Sequence, residues 1–300
     1  MTEQLEISSR SLWGDAFYSL RRRVDVIIAT LVALFFIVVA AFPTLFTRTD
    51  PTDCRISDAR IRPQWFEGKH PLGTDSFGCD YLAMTVHGAR PSLLLAFGVV
   101  GTSVVIGVVL GCLAGYYLGF VDMVISRLLE VFLVVPFLLA ALLVLSMLRN
   151  LDLGNNDLVS LLPPAVVLIM FGWIAYTRYV RASVLETKNL DYVRAARALG
   201  ASDLRIIFRH ILPNAIAPVT ALIPTAVGGI IASEAVLAFL GVGVRPPAIS
   251  WGIMISNGSQ WASGGYPYLL LIPLTCLMAT ILSFVVIGDA LRDALDPKLR

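Results

Sequence analysis

Long uncharged runs alternate with short charged ones along this chain. Val26–Phe46 carries no charge, and Pro91–Val121 carries none over 31 residues. Leu128–Leu148 has Glu130 near one end, and Leu158–Thr177 stops at Arg178; Ile211–Ser233 and Tyr266–Gly288 complete the set. About 20 apolar residues cross the hydrocarbon core of a bilayer, so each run predicts one transmembrane helix, six in all. A further apolar stretch, 242–265, is broken by Gly243, Pro246-Pro247, Gly258 and Gly264-Gly265. It predicts a loop carrying a re-entrant or interfacial helix around Trp251–Trp261.

One polar segment between the fourth and fifth runs is itself helix-capable. Residues 191–213 read DYVRAARALGASDLRIIFRHILP. Asn189 or Asp191 can cap a first short helix that ends at Gly200, a natural left-handed terminator. Ser202 can cap a second, running through Leu204, Ile207, Phe208 and Ile211 until Pro213 stops it. Two capped helices meeting at a glycine make an elbow that projects from a membrane protein and fits a groove on a soluble partner.

Composition agrees with a polytopic all-α membrane protein: 57% of residues are hydrophobic, 15% are charged, and mean hydropathy is +0.79. The net charge of +2 says little about partners. The first 23 residues are polar and the apolar run begins at Val26, which does not read as a cleavable signal peptide. Lys and Arg set the orientation. With six spans, the side holding both termini and the elbow carries fifteen of them; the other side carries eight, six in the long loop 47–90 beside six acids. Residues 1–25 are therefore expected to be a cytoplasmic segment and 26–300 a membrane domain, with an external loop 47–90 and a cytoplasmic loop 178–213.

Several motifs resemble one family. Ala195-Ala196, Gly200 and Leu212-Pro213 are similar in spacing to the E-A-A-x3-G-x9-I-x-L-P loop of permease subunits of bacterial ABC importers, with Arg194 in place of the usual Glu and His210 in place of Ile. His70-Pro71-Leu72-Gly73-Thr74-Asp75, Gly78-Cys79-Asp80 and Gly88-Ala89-Arg90 resemble a stretch of the C-type subunit of the dipeptide/oligopeptide/nickel permeases. Glu234–Gly243 with Pro246-Pro247 and Trp251-Gly252, and the closing Gly288–Pro297, resemble the same family. The resemblance implies a type I ABC importer permease fold whose elbow is a coupling helix. It implies a B-type sister permease, two cytoplasmic ATPases that bind ATP and Mg, an extracytoplasmic substrate-binding protein, and residence in the bacterial inner membrane among its lipids. It implies coupling roles for Arg194, Ala195, Ala196, Gly200, His210, Leu212 and Pro213, and a peptide cargo, with nickel or another small solute as the alternative.

The remaining residues carry less. Asp75 and Asp80 can cap turns or pair with Arg90. Cys79 stands where the family usually has Arg; Cys54 lies on the same external loop, so a disulfide between them is permitted without being fixed. Glu130 is placed to pair with Arg127 three residues away. Glu234, near the outer end of the fifth run, reads either as structural support or as a pathway or gating group. Gly107, Gly111, Gly115 and Gly119 make a small-residue face for close helix contact, inside the subunit or with a sister permease. Pro136 can kink the third span.

No G-x-x-x-x-G-K-[ST] loop, no H-E-x-x-H cluster and no basic-aromatic pattern occurs, so no ATP site, metal site or nucleic-acid surface is expected in this chain, and no catalytic group. An ion-coupled secondary transporter using Glu130 or Glu234 is the rival reading. It calls for discontinuous helices around a midplane site and repeated halves, and neither is evident.

Overall fold

A computed structural model describes residues 14, 18–64, 68–149, 156–245 and 247–295. Helices α1 (Val24–Ala41), α2 (Tyr81–Tyr117), α3 (Gly119–Val134), α4 (Phe137–Leu148), α5 (Asp157–Ser160) and α6 (Leu162–Thr187) make the first part of the chain. After them come α7 (Asp191–Ala198), α8 (Asp203–Ile206), α9 (Leu212–Ala215), α10 (Ala217–Phe239), α11 (Trp251–Ala262) and α12 (Tyr268–Leu295). The one β pairing among the described residues is an isolated bridge between Thr74 and Asp80. Five helices, α1, α2, α6, α10 and α12, are each long and apolar enough to cross a membrane, and the α3–α4 pair makes a sixth if counted together.

Several boundaries differ from expectation, and each has a local cause. Helix α2 begins ten residues before Pro91, so the loop expected over 47–90 ends at Asp80. Asp80 is the reason: its Oδ1 accepts the Ala83 N–H at 2.8 Å, an N-cap that satisfies a donor at the open end of the helix. Its other oxygen lies 2.8 Å from His70 Nδ1, so the partner of Asp80 is His70 and not Arg90. Asp75 instead accepts the N–H groups of Phe77 and Cys79, folding a tight turn.

Where a third span is expected, the helix is broken rather than kinked. Helices α3 and α4 meet at 86°, with Val135 extended (φ −78°, ψ 120°) before Pro136. A proline disfavours the helical conformation in the residue before it, so the chain leaves the helix at Val135 and restarts at Phe137. The fourth span continues ten residues past Thr177 to Thr187. The fifth starts at Ala217, because Ile211–Ala215 belongs to the elbow. The sixth runs on to Leu295, where Asp293 meets Arg23 at 3.2 Å beside the start of α1. Residues 296–300 of the closing motif lie outside the described residues.

Helix α11, expected around Trp251–Trp261, spans Trp251–Ala262 and is anchored from three directions. Ser250 caps it by accepting the Ile253 N–H at 3.2 Å. The fully buried Trp251 donates its indole N–H to Thr85 O on α2 at 2.9 Å. At Gly258 a Cβ would fall 2.1 Å from Leu269 O on α12.

The tightest packing joins α2 to α6. Added Cβ atoms at Gly107, Gly111 and Gly115 would lie 2.4, 2.6 and 2.8 Å from the Cβ atoms of Tyr176, Val180 and Val184. Three of the four glycines of the small-residue face therefore serve contact within the subunit, letting two backbones approach where no hydrophobic drive from water exists. Gly119 instead follows Leu118 at the break between α2 and α3.

Candidate functional site

The elbow occupies the stretch between α6 and α10. Asn189 does not cap α7; its side chain donates to Leu185 O at 2.9 Å and closes the end of α6. Leu190 takes the N-cap position without a side-chain bond, and Asp191 sits in the first turn, where its charge favours the positive end of the helix. The far end of α7 is closed by two backbone bonds, Ala201 N–H to Ala196 O (3.1 Å) and Gly200 N–H to Arg197 O (3.0 Å). That pair defines a Schellman motif, which requires a left-handed residue between them, and Gly200 has φ +79°. No atom stands within 4 Å of a Cβ added at Gly200. The backbone conformation, and not space inside this chain, demands glycine there.

Ser202 precedes α8 as expected, though without a side-chain cap bond. Pro213 does not stop the second helix. The chain widens into a π turn over Ile207–Ile211 and then carries Pro213 in the first turn of α9. A proline ring clashes with the carbonyl four residues back, and a π turn moves that carbonyl out of the way.

One face of the elbow is buried and the other is open. Val193, Ile206 and Ile211 are fully buried and join the main apolar core with Val184 and Val219. On the open side stand Leu199, 88% exposed, with Leu204 (65%) and Phe208 (64%). Arg194, Ala195, Gly200 and Pro213 lie exposed on the same elbow, and Ala196 and Leu212 are half-buried. His210 is also half-buried, its ring tilted over that of Tyr192 at 6.4 Å. Its carbonyl accepts from Tyr192 Oη and Asn214 Nδ2, both at 3.2 Å, so His210 braces the π turn from within.

Polar contacts fix the elbow to the ends of the long helices. Tyr116, on the last turn of α2, bonds to Asp203 and receives a bond from Arg197. Lys188 Nζ donates to Gly115 O at 2.9 Å. Burial, then the nearby Arg197, pushes the pKa of Lys188 below that of an ordinary lysine. Arg181 on α6 grips Asp122 on α3 with two bonds of 2.6 and 2.7 Å, a fork geometry that fixes direction as well as distance. Of these residues, Tyr116, Asp122, Arg181, Lys188 and Asp203 escaped the sequence reading. The only trace they leave in the sequence is a charge or a phenol at the edge of an apolar run.

The other candidates lie apart from the elbow. Glu130 pairs with Arg127 at 2.6 Å on the exposed surface of α3. Glu234 is fully buried; its Oε1 accepts from Ser250 Oγ at 2.7 Å, and its Oε2 has no partner among the described residues. A Cβ at Gly252 would come 3.0 Å from that Oε2, so the carboxyl is sandwiched between α10 and the start of α11. Cys54 and Cys79 form a disulfide, Cα atoms 4.1 Å apart, that closes the loop before α2. No group of three metal-ligating side chains occurs among the described residues.

Residues 107–300 match the family model described as the inner membrane component of binding-protein-dependent transport systems. Over 291 residues the chain is 35% identical to the dipeptide transport system permease protein DppC of Alkalihalophilus pseudofirmus, covering 97% of this chain and 91% of that one. It is 34% identical over 298 residues to the oligopeptide transport system permease protein OppC of Bacillus subtilis, covering 99% and 93%. A solved structure of the MetNI methionine ABC transporter in an inward-facing conformation superposes with a TM-score of 0.55 at 19% identity, over 71% of this chain and 96% of that one, a likeness of fold alone. Matched along nearly its whole length, the chain belongs to the inner membrane components of binding-protein-dependent transport systems, on the branch of the dipeptide and oligopeptide C-type permeases.

Proposed function

We propose that this permease subunit passes di- or oligopeptides inward across the bacterial inner membrane, and that its elbow seats in a cytoplasmic ATPase. It pairs with a B-type sister permease to enclose the pathway. Two ATPases stand below, and an extracytoplasmic binding protein delivers cargo. Both termini and the elbow face the cytoplasm, in keeping with the fifteen Lys and Arg on that side. The names of the dipeptide and oligopeptide relatives favour peptide as the cargo.

The observation that carries the coupling role is the open apolar face of Leu199, Leu204 and Phe208 on an elbow whose other face is locked into the core by Val193, Ile206 and Ile211. Large exposed hydrophobics on a polar segment outside the bilayer call for a protein partner. An element gripped by Tyr116 and Lys188 cannot move without moving α2 and α6. ATPase closure then reaches the spans as a rigid-body push, exchanging inward and outward access. The chain itself holds Arg194, Ala195, Ala196, Gly200, His210, Leu212 and Pro213 in place for that contact. Glu130 and Glu234 are read as supports: one is spent on Arg127, the other on Ser250.

The test is uptake of a radiolabelled dipeptide by cells expressing the chain with its partner subunits, in a host lacking peptide import. Gly200→Leu, at normal abundance in the membrane, should abolish uptake and transport-coupled ATP turnover. Normal uptake by that variant would remove the coupling role. Uptake of a metal ion or another solute in place of peptide by the wild type would reassign the cargo.

A further inference from the structure

The end of the bundle away from the elbow holds a cavity of about 680 Å³. Its polar wall carries Thr47, Arg48, Thr49 and Asp50 from the segment after α1, with His87 and Arg90 from α2. A second, narrower space of about 240 Å³ opens beside it, between Ile37, Ala40 and Ala41 of α1 and Leu93, Leu94 and Phe97 of α2. Arg90 and Leu94 line both spaces. A polar chamber and an apolar groove therefore share a wall, and one guanidinium stands in it.

Charge in the chamber is unbalanced toward positive. Neither Arg48 nor Arg90 has a carboxylate within ion-pair distance among the described residues. Asp50, the one acid on the wall, accepts from the N–H and the hydroxyl of Thr52 at 2.8 and 2.6 Å. Those bonds hold its carboxyl below the usual carboxylate range, so it stays charged and satisfied. Two arginines against one spent carboxylate leave the chamber suited to an anion with oxygen acceptors, the geometry a guanidinium fork matches best.

Depth decides the kind of anion. Arg90 is the tenth residue of α2, about 14 Å along the axis from Tyr81, and Phe97 lies roughly 10 Å further. From Pro91 to Tyr117 the helix carries no charge, so Arg90 marks the level where the apolar span begins. A dipeptide sets at most one side chain against Ile37, Leu93 and Phe97, and beside the carboxylate that two arginines attract it brings an ammonium that they repel. An amphiphile has both parts in the right order. Ala40 and Ala41, small residues beside Ile37 at this end of α1, leave the room that a chain of methylenes fills.

We propose that this chamber and groove form a binding site for an anionic phospholipid, its phosphodiester held by Arg90 and Arg48 and one acyl chain laid between α1 and α2. The lipid would staple α1, which carries few polar contacts of its own, onto the helix that leads to the elbow. The proposal rests on the membrane reading of the fold and not on cargo or coupling, and the test below reads binding without transport.

The full chain, purified in mild detergent, is titrated with phosphatidylglycerol and with zwitterionic phosphatidylcholine, and retained lipid is counted by native mass spectrometry. The wild type should hold one phosphatidylglycerol through delipidation, with a preference of about tenfold over phosphatidylcholine, which shares the phosphodiester but adds an ammonium that two arginines repel. Arg90→Gln should lose that retention and Arg90→Lys should recover part of it. Ala41→Phe fills the groove with Arg90 untouched, and should lose it too. Equal retention by the wild type and Arg90→Gln would overturn the proposal. So would displacement of the lipid by glycerol 3-phosphate or by a dipeptide at equal concentration, since either would place a water-soluble solute in the chamber.

Discussion

Tyr116 Oη donates to Asp203 Oδ1 at 2.5 Å, across 87 residues of sequence, and so ties the last turn of α2 to the first turn of α8. The same oxygen accepts from Arg197 Nη2 at 3.3 Å, so a single phenol holds both arms of the elbow. Tyr116→Phe keeps the ring and removes both bonds. At roughly 0.5–1.5 kcal/mol for each hydrogen bond, the loss should leave folding intact and loosen the elbow. We expect basal ATP turnover of the assembled complex to persist while peptide uptake per ATP falls several-fold. Measuring both rates on the same reconstituted preparation checks it, and an unchanged ratio would deny Tyr116 a part in transmission.

Gly200 separates a backbone requirement from a spatial one. An ordinary side chain at φ +79° costs about 1–2 kcal/mol, whereas asparagine tolerates that region. Gly200→Asn should therefore keep most uptake and Gly200→Val should lose it, although neither meets a neighbour inside this chain. If both variants fail equally at normal abundance, the ATPase surface and not the Schellman turn sets the need for glycine.

The α2–α6 seam should be intolerant of volume. A methyl at Gly111 would sit 2.6 Å from Val180 Cβ, closer than carbon atoms approach, so Gly111→Ala must push two helices apart. Overpacking of this kind costs about 1–3 kcal/mol. Thermal unfolding in detergent, followed by tryptophan fluorescence, should start several degrees lower than in the wild type. Gly101→Ala, where no atom stands within 4 Å of the added carbon, serves as the control.

The disulfide predicts a simple count. With Cys54 and Cys79 bonded and Cys112 and Cys276 free, maleimide in denaturant should label two thiols before reduction and four after. Closing a segment of that length contributes about 3.5 kcal/mol by the loop-entropy relation. Cys54→Ser should accordingly raise the protease sensitivity of the loop before α2 while sparing the spans.

Glu234 is tested by shape against charge. Glu234→Gln keeps a carbonyl oxygen for Ser250 Oγ and should transport nearly as the wild type does. Glu234→Ala opens a cavity between α10 and α11 and strands the Ser250 hydroxyl, a loss of about 1–3 kcal/mol. If Glu234→Gln were inactive at full abundance, the ionisable group itself would be needed, and a gating role would return.

The elbow could be read in the sequence because its signals are local. A polar, helix-capable run between apolar ones, a glycine at the turn and a serine after it all lie within a dozen residues. Pro213 reads as a helix end because a proline ordinarily is one, and the π turn that accommodates it leaves no composition mark. Asp80 moved the start of α2 by ten residues for a similar reason: one cap outweighs the hydropathy of the segment it opens. The Tyr116–Asp203 and Arg181–Asp122 contacts join residues far apart in sequence, so no periodicity announces them. Val193 stands among polar neighbours on α7, and burial singles it out only after the fold is known.

Helix α2 has a consequence beyond packing. At 37 residues it is about 55 Å long, nearly twice the thickness of the hydrocarbon core, and it runs uninterrupted through Pro91. A rod of that length behaves as a lever: a tilt of about 5° about one end carries the other roughly 5 Å. Its near end is held by Tyr116 and its far end by the Asp80–His70 pair and Trp251. A tilt of α2 about its Tyr116 end thus carries Asp80, His70 and Trp251 together by several ångströms, without any hinge in between.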